Sequence, residues 1–251
     1  SVVRGVLSQM LEQLRVLQSL ECTHTDIKHK NCCLANTEHY LVPASEGGRP
    51  TLILTNPVVK FIDYGNAVFE GEEKLHPIHT KQFRAPEVLL NITEGWGPPS
   101  DTWTVGITAT FLVSGQLIFN SHEPQELIQR MVQALGAFPD RLLSVAKDKR
   151  PRAVAERAAA EAGPGSRPQL ASWLGLDGAP ASSPEAACVE LLQKMLALDP
   201  RERISAEDAL HHRFLAEGGV GAKATPPPCP AGGALRTCLG EGSHGGKGGK
   251  K

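Results

Sequence analysis

Residues 103–113, Trp-Thr-Val-Gly-Ile-Thr-Ala-Thr-Phe-Leu-Val, form a helical stretch with scarcely a polar face, and Pro99-Ser100-Asp101 places a cap residue just ahead of it. A helix apolar on one side can lie on a surface, but one that is apolar nearly all round must be enclosed. The chain is therefore expected to fold with this helix in the middle of a lobe. At 251 residues and 41% hydrophobic content it has the material to surround it.

The surrounding segments carry one-sided patterns. Val3, Val6, Leu7, Met10, Leu11, Leu14 and Leu17 fall at helical spacing with a single buried stripe. Residues 126–135 and 188–198 read as further amphipathic helices, and Ser205, with Asp208 three residues on, caps a last helix through Phe214. Residues 32–35 and 58–62 read as short strands. The polar insertion between Asn36 and Pro57 carries an apolar piece, residues 51–54, suited to a hairpin. Residues 150–187, rich in Ala, Pro, Gly and Ser, read as a partly ordered surface insert anchored by Trp173, Leu174 and Leu176. Residues 216–251 are too rich in Gly and Pro to repay their ordering entropy and are expected to be disordered. The ordered domain is thus expected over 1–215.

Bulk properties exclude several classes. A net charge of -1 gives no global pull toward nucleic acid or membranes, so neither is expected as a direct partner. No apolar run approaches the roughly 20 residues of a membrane span, and no signal peptide is present. The cysteines show no disulfide-framework spacing, which suits a reduced, intracellular setting. Cys22, His24, His29, Cys32 and Cys33 crowd together without a C-x-x-C or H-x₃-H pair, a pattern that suits a loop flanked by core thiols better than zinc.

Chemistry concentrates in two strings, His24-Thr25-Asp26-Ile27-Lys28-His29-Lys30-Asn31 and Asp63-Tyr64-Gly65. Phosphoryl transfer needs a carboxylate to orient a hydroxyl nucleophile, a cation for the moving phosphate and side-chain oxygens to hold magnesium. On that reading Asp26 takes the hydroxyl proton, Lys28 neutralises the γ-phosphate, Asn31 gives an amide oxygen to one Mg²⁺, Asp63 bridges metal to the phosphates, and His24 is a structural anchor. Either string alone also fits a solvated loop or a turn. Order separates the readings: Ala85-Pro86-Glu87, then Asp101-x-Trp103-x-x-Gly106, then Arg203 follow in turn. Glu87 is placed to form a buried pair with Arg203, the alternative being an ordinary surface arginine.

This series resembles that of eukaryotic protein kinases. His24-Thr25-Asp26 in place of His-Arg-Asp, the insertion ending Thr55-Asn56-Pro57-Val58-Val59-Lys60, and the segment ending His79-Thr-Lys-Gln-Phe-Arg-Ala-Pro-Glu87 are most similar to the CDC-like, LAMMER-type kinases of the CMGC group. Gly65-Asn66-Ala67 is also similar to the metal motif of the SR-protein kinases. The sequence departs from the family at residues 126–136, which are not the LAMMER string, at His29-Lys30 for Pro-Glu, and at Tyr64 for Phe. The resemblance implies a mainly α fold, a protein-kinase-like C-terminal lobe with short β-hairpins at the catalytic cleft. In such a lobe Asp101 would hold the catalytic-loop backbone, the alternative being a helix-terminal charge.

The segment from Asn66 to His79 contains no Ser, Thr or Tyr, and Thr25 stands where many kinases carry an Arg that pairs with a phosphorylated activation loop. Activity is therefore expected not to wait on phosphorylation there, and Thr80 to hydrogen-bond the catalytic groups rather than carry phosphate. The implied activity is Ser/Thr or dual-specificity phosphotransfer from ATP with Mg²⁺ to protein substrates, including Arg/Ser-rich splicing proteins, by a monomer in the nucleus. Neither a G-x-G-x-x-G loop nor a V-A-x-K strand is found and the chain starts at Ser1 rather than Met, so the N-terminal lobe is expected to be absent, the chain cut from something longer, and ATP binding poor. The alternative function is a truncated kinase or pseudokinase serving as a non-catalytic protein-binding scaffold.

Overall fold

The computed structural model describes residues 2–42, 51–55, 57–74, 77–163 and 165–216, with residues 51 and 52 by backbone alone. The tail reading lies outside these residues but for Ala216. In chain order the regular elements are helix α1 (Val2–Ser19), strands β1 (Cys22–Thr23), β2 (Cys32–Asn36), β3 (His39–Val42), β4 (Thr51–Leu54), β5 (Val58–Phe61) and β6 (Val68–Phe69), and then helices α2 (Pro86–Leu89), α3 (Pro99–Ser114), α4 (Pro124–Leu135), α5 (Asp140–Ser144), α6 (Lys149–Ala162), α7 (Leu170–Trp173), α8 (Pro184–Met195), α9 (Ala206–Leu210) and α10 (Arg213–Ala216).

Helix α3 is the enclosed one: every residue from Ser100 to Thr110 is buried. Its hydroxyls avoid stranding by bonding back along the helix, Thr104 to the Asp101 carbonyl at 2.9 Å and Thr108 to that of Thr104 at 2.9 Å. Trp103 stacks on Phe119 with ring centroids 5.9 Å apart. On the α8 side Gly106 lets the backbones close, since a Cβ built there would stand 2.9 Å from Leu196 Cδ2. Helix α1 turns its apolar stripe, Val6 to Leu17, toward α3, β5 and α9.

The strands form three two-stranded antiparallel sheets: β1 with β6, β2 with β5, and β3 with β4, the last being the hairpin in the polar insertion. One edge of β5 is completed by a helix. Gln9 and Gln13, one turn apart on α1, take up the free edge: their Oε1 atoms accept from Val59 N and Phe61 N, both at 2.9 Å, and their amides donate to the Pro57 and Val59 carbonyls. These three sheets give the amino-terminal part of the domain a strand content that the expected mainly α lobe, with its N-terminal lobe absent and only hairpins at the cleft, did not include; the fold class is corrected accordingly.

Helix α6, which falls largely within the 150–187 region read as a partly ordered insert, buries Val154, Ala155 and Ala158 and packs against α4. One further reading changes. The last helix stops at Leu210 and restarts as α10, with Phe214 N donating to His212 Nδ1 at 3.3 Å across the break.

Candidate active site

The loop from β1 to β2 is fixed from beneath by α3. Asp101, wholly buried, accepts from His24 N at 2.6 Å and Thr25 N at 3.1 Å, so one carboxylate holds two successive backbone donors. Burial pushes its carboxyl up to about 7, against the pull of those two N–H groups. Thr25 completes the clamp with a left-handed backbone (φ 71), a conformation costly for a β-branched residue. Its carbonyl accepts from His79 N at 3.1 Å and its hydroxyl donates to the Asn66 carbonyl at 3.0 Å. One residue thus ties both ends of the 66–79 segment to the loop through neutral bonds.

His24 is buried, and burial lowers its pKa despite the bond to the Ile62 carbonyl. The neutral ring accepts from Asp26 N at Nδ1 (3.3 Å), which leaves Nε2 as the donor to Ile62 O at 3.1 Å. Ile62 N in turn donates to Asn31 O at 3.0 Å. The residue before Asp63 is therefore bonded to both halves of the catalytic string. Asp63 itself, exposed and left-handed (φ 69), follows the end of β5.

Asp26 stands at the centre. Its Oδ2 accepts from Lys28 Nζ at 2.7 Å and from Asn31 Nδ2 at 3.2 Å, and its Oδ1 from the Thr80 hydroxyl at 2.9 Å. Lys28 Nζ also reaches Thr80 Oγ1 at 2.8 Å. Burial alone would raise the Asp26 carboxyl; the bonds from Lys28 and then Thr80 outweigh it and hold the pKa below the usual carboxylate value. On the Thr80 side a cleft of about 590 Å³ opens, bordered by Asp26, Thr80, Glu73, His79 and Trp96, whereas Lys28, Asn31 and Asp63 lie off it. Further from the cleft Arg203 meets Glu87 in a two-pronged pair at 2.7 and 2.9 Å, both side chains fully buried, and also donates to the Pro99 and Ala197 carbonyls.

The donor set suits a magnesium–phosphate ligand. Both Asn31 amide bonds to Asp26 are made by its nitrogen, so its oxygen faces elsewhere, and Asp63 adds an exposed carboxylate. Among the described residues no cluster of three or more His, Cys, Asp or Glu makes a closed cage. Gln9, Gln13 and His79 are not singled out by the sequence, since their partners lie on strand β5 and on distant backbone atoms.

Around the enclosed α3 helix the fold brings together a carboxylate, a lysine and an asparagine, the kinds of group that phosphoryl transfer requires. The chain belongs to the protein kinase domain family, whose sequence model matches residues 1–215. It is 29% identical over 229 residues to the Serine/threonine-protein kinase AFC2 of Arabidopsis thaliana, covering 86% of this chain and 53% of that protein. It is 30% identical over 222 residues to the Dual specificity protein kinase lkh1 of Schizosaccharomyces pombe, covering 86% of this chain and 32% of the relative. A crystal structure of a kinase domain superposes with a TM-score of 0.67 at 25% identity, over 85% of this chain and 65% of that one. The chain thus spans about half the length of the first relative and about a third of the second. Because the domain match runs from residue 1 and takes in the strand-bearing amino-terminal part, the expectation that only a carboxy-terminal lobe is present is overturned. The expectation of poor ATP binding, which rested on that absence, loses its support. Protein kinase domains are transferases that use ATP with a divalent metal.

Proposed function

We propose that this domain transfers the γ-phosphoryl group of Mg·ATP to Ser or Thr hydroxyls, and in dual-specificity fashion to Tyr, of protein substrates, in the manner of the CDC-like kinases. Arg/Ser-rich proteins are the substrate class, the nucleus the place, and a monomer the acting form. The observation that supports this most is Asp26, held by Lys28, Thr80 and Asn31 at the edge of an open cleft.

In this reading the substrate hydroxyl enters from the cleft and hydrogen-bonds Asp26, which orients it and accepts its proton as the oxygen bonds to the γ-phosphorus and the bond to the bridging oxygen breaks, releasing ADP. Its depressed pKa keeps Asp26 ionised at neutral pH and ready for that role. Lys28, already between Asp26 and Thr80, sets positive charge where the transferring group carries negative charge. Thr80 fixes the orientation of both. The Asp63 carboxylate and the Asn31 amide oxygen would hold Mg²⁺, which when bound offsets phosphate charge.

The test is incorporation of γ-phosphate from Mg·ATP into an Arg/Ser peptide by the full chain. Asp26→Asn is expected to lower kcat by about 10²–10⁴-fold with the circular dichroism spectrum retained. An Asp26→Asn protein as active as the parent sinks the assignment, and a parent without turnover leaves the scaffold role.

A further inference from the structure

Helix α6 and the loop that leads into it carry their charges in two different ways. From Arg152 onward opposite signs stand one turn apart, Arg152 with Glu156 at 2.8 Å and Arg157 with Glu161 at 3.7 Å, the layout of a solvated helix face. Ahead of Arg152 that pattern stops. Lys147, Lys149 and Arg150 are all exposed, and among the described residues none of the three makes an ion pair or a side-chain hydrogen bond. Asp148, the one carboxylate of the strip, pairs with none of them and does not cap the helix through its side chain.

Helix formation does not account for these cations. The first turn of α6 holds no acidic residue, and Lys149 and Arg150 set positive charge at the positive end of the helix dipole, where a carboxylate would be favoured. The main chain beneath them is nevertheless held: Thr93 N donates to Val145 O at 2.9 Å, Ala146 bridges to Ile92, and Lys147 N donates to Asn91 O at 3.1 Å. Like charges set side by side on a fixed backbone repel one another in the isolated domain, and an anionic partner relieves that repulsion without having to order the loop first.

The surroundings select among anions. The large apolar side chains exposed among the described residues, such as Leu20, Leu41 and Phe69, lie elsewhere in the chain, so the strip has no apolar anchor for a membrane. It has no aromatic ring on which a base could stack, and the net charge of -1 supplies no wider attraction to nucleic acid. The cations follow one another from an extended loop residue, Asp148 (φ -88, ψ 110), into the helix, which suits carboxylates strung along a peptide better than one compact phosphate. We propose that Lys147, Lys149 and Arg150 form a docking strip for an acidic segment, a run of Asp and Glu, of a partner protein. None of the three borders the catalytic cleft, and the strip repels the Arg-rich segment proposed to enter there, so its occupant is a different segment and the inference stands apart from the phosphotransfer reading.

The experiment measures the anisotropy of a fluorescein-labelled oligoglutamate peptide with the full chain at physiological salt, for the parent, for Lys149→Glu with Arg150→Glu, and for Arg130→Glu with Arg167→Glu, which makes the same charge change outside the strip. Loss of two exposed ion pairs, with repulsion in their place, predicts binding weakened about tenfold in the strip variant and less than about threefold in the control. Glutamates in the first turn of α6 suit the helix dipole, so the strip variant is expected to melt no lower than the parent, and its weaker binding is then not a loss of fold. A second readout locates the contact: bound peptide should protect Lys147 and Lys149 from acetylation, read by mass spectrometry, and leave the exposed Lys60 unprotected. No binding by the parent, equal weakening in both variants, or acetylation of Lys147 and Lys149 unmoved by the peptide overturns the proposal. A thymidine oligonucleotide or a phosphatidylserine vesicle held by the strip more tightly than the peptide overturns the choice of partner.

Discussion

The Glu87–Arg203 pair offers the sharpest quantitative test of how the domain is held together. Both side chains are fully excluded from solvent, and the guanidinium also serves the Pro99 carbonyl at the start of α3 and the Ala197 carbonyl beyond α8. Deleting either partner leaves the other as a buried, unpaired charge, an effect of about 3–5 kcal/mol. For a domain of this size about 1 kcal/mol moves Tm by roughly 2–4 °C, so Glu87→Ala and Arg203→Met should each lower Tm by about 6–20 °C. The exposed Lys194–Glu190 pair, 2.9 Å long, provides the contrast, with about 0.2–1 kcal/mol expected on its removal. Urea unfolding measures both variants, and losses below about 1 kcal/mol for both would refute the picture of a buried pair that fixes geometry.

Four other perturbations follow from the same contacts. Asp101→Asn gives up one of two accepted backbone bonds, a loss of about 0.5–1.5 kcal/mol at pH 4–5, where the carboxyl is protonated. Because the Asp101 pKa is raised to about 7, ionisation weakens the parent as pH climbs from about 4 to 7, so the gap between the two should narrow over that range in urea midpoints. Gly106→Ala drives a Cβ to 2.9 Å from Leu196 Cδ2 and 3.3 Å from Met195 Cβ, and overpacking of α3 on α8 should cost about 1–3 kcal/mol in thermal melts. Thr80→Val removes the hydroxyl that bridges Lys28 and Asp26, and kcat should fall by up to about 10²-fold while Tm moves little. Phosphatase treatment should leave turnover unchanged, and a phosphosite between residues 66 and 79 whose removal abolishes activity would contradict the neutral Thr25 clamp.

What the sequence could and could not convey divides by the range of the interaction. The enclosed helix was legible because eleven successive residues without a polar face admit one environment, and the α1 stripe because its spacing repeats within one element. The spacing of Asp26, Lys28 and Asn31 is likewise local, so their meeting within one turn could be anticipated. Thr80 joins Asp26 across 54 positions of chain and Asp101 joins His24 across 77, and both were legible only through the order of motifs. The Gln9–Val59 and Gln13–Phe61 bonds had no such guide, because a glutamine on a helix is an ordinary surface residue until a strand edge is laid beside it. His79 was hidden for a related reason. Its proton position depends on Ala85 N, its backbone on Thr25 O and its burial on the whole cleft wall, none of which its sequence neighbours declare. The motif residues carry the chemistry and announce it, while part of what sets their positions runs through backbone atoms, as in the Thr25 carbonyl, the Ile62 peptide and the His79 N–H. Positioning in this domain is therefore least readable where it is most backbone-mediated, at Thr25, Ile62 and His79, and two of these, Thr25 and His79, hold a left-handed conformation that their side chains disfavour.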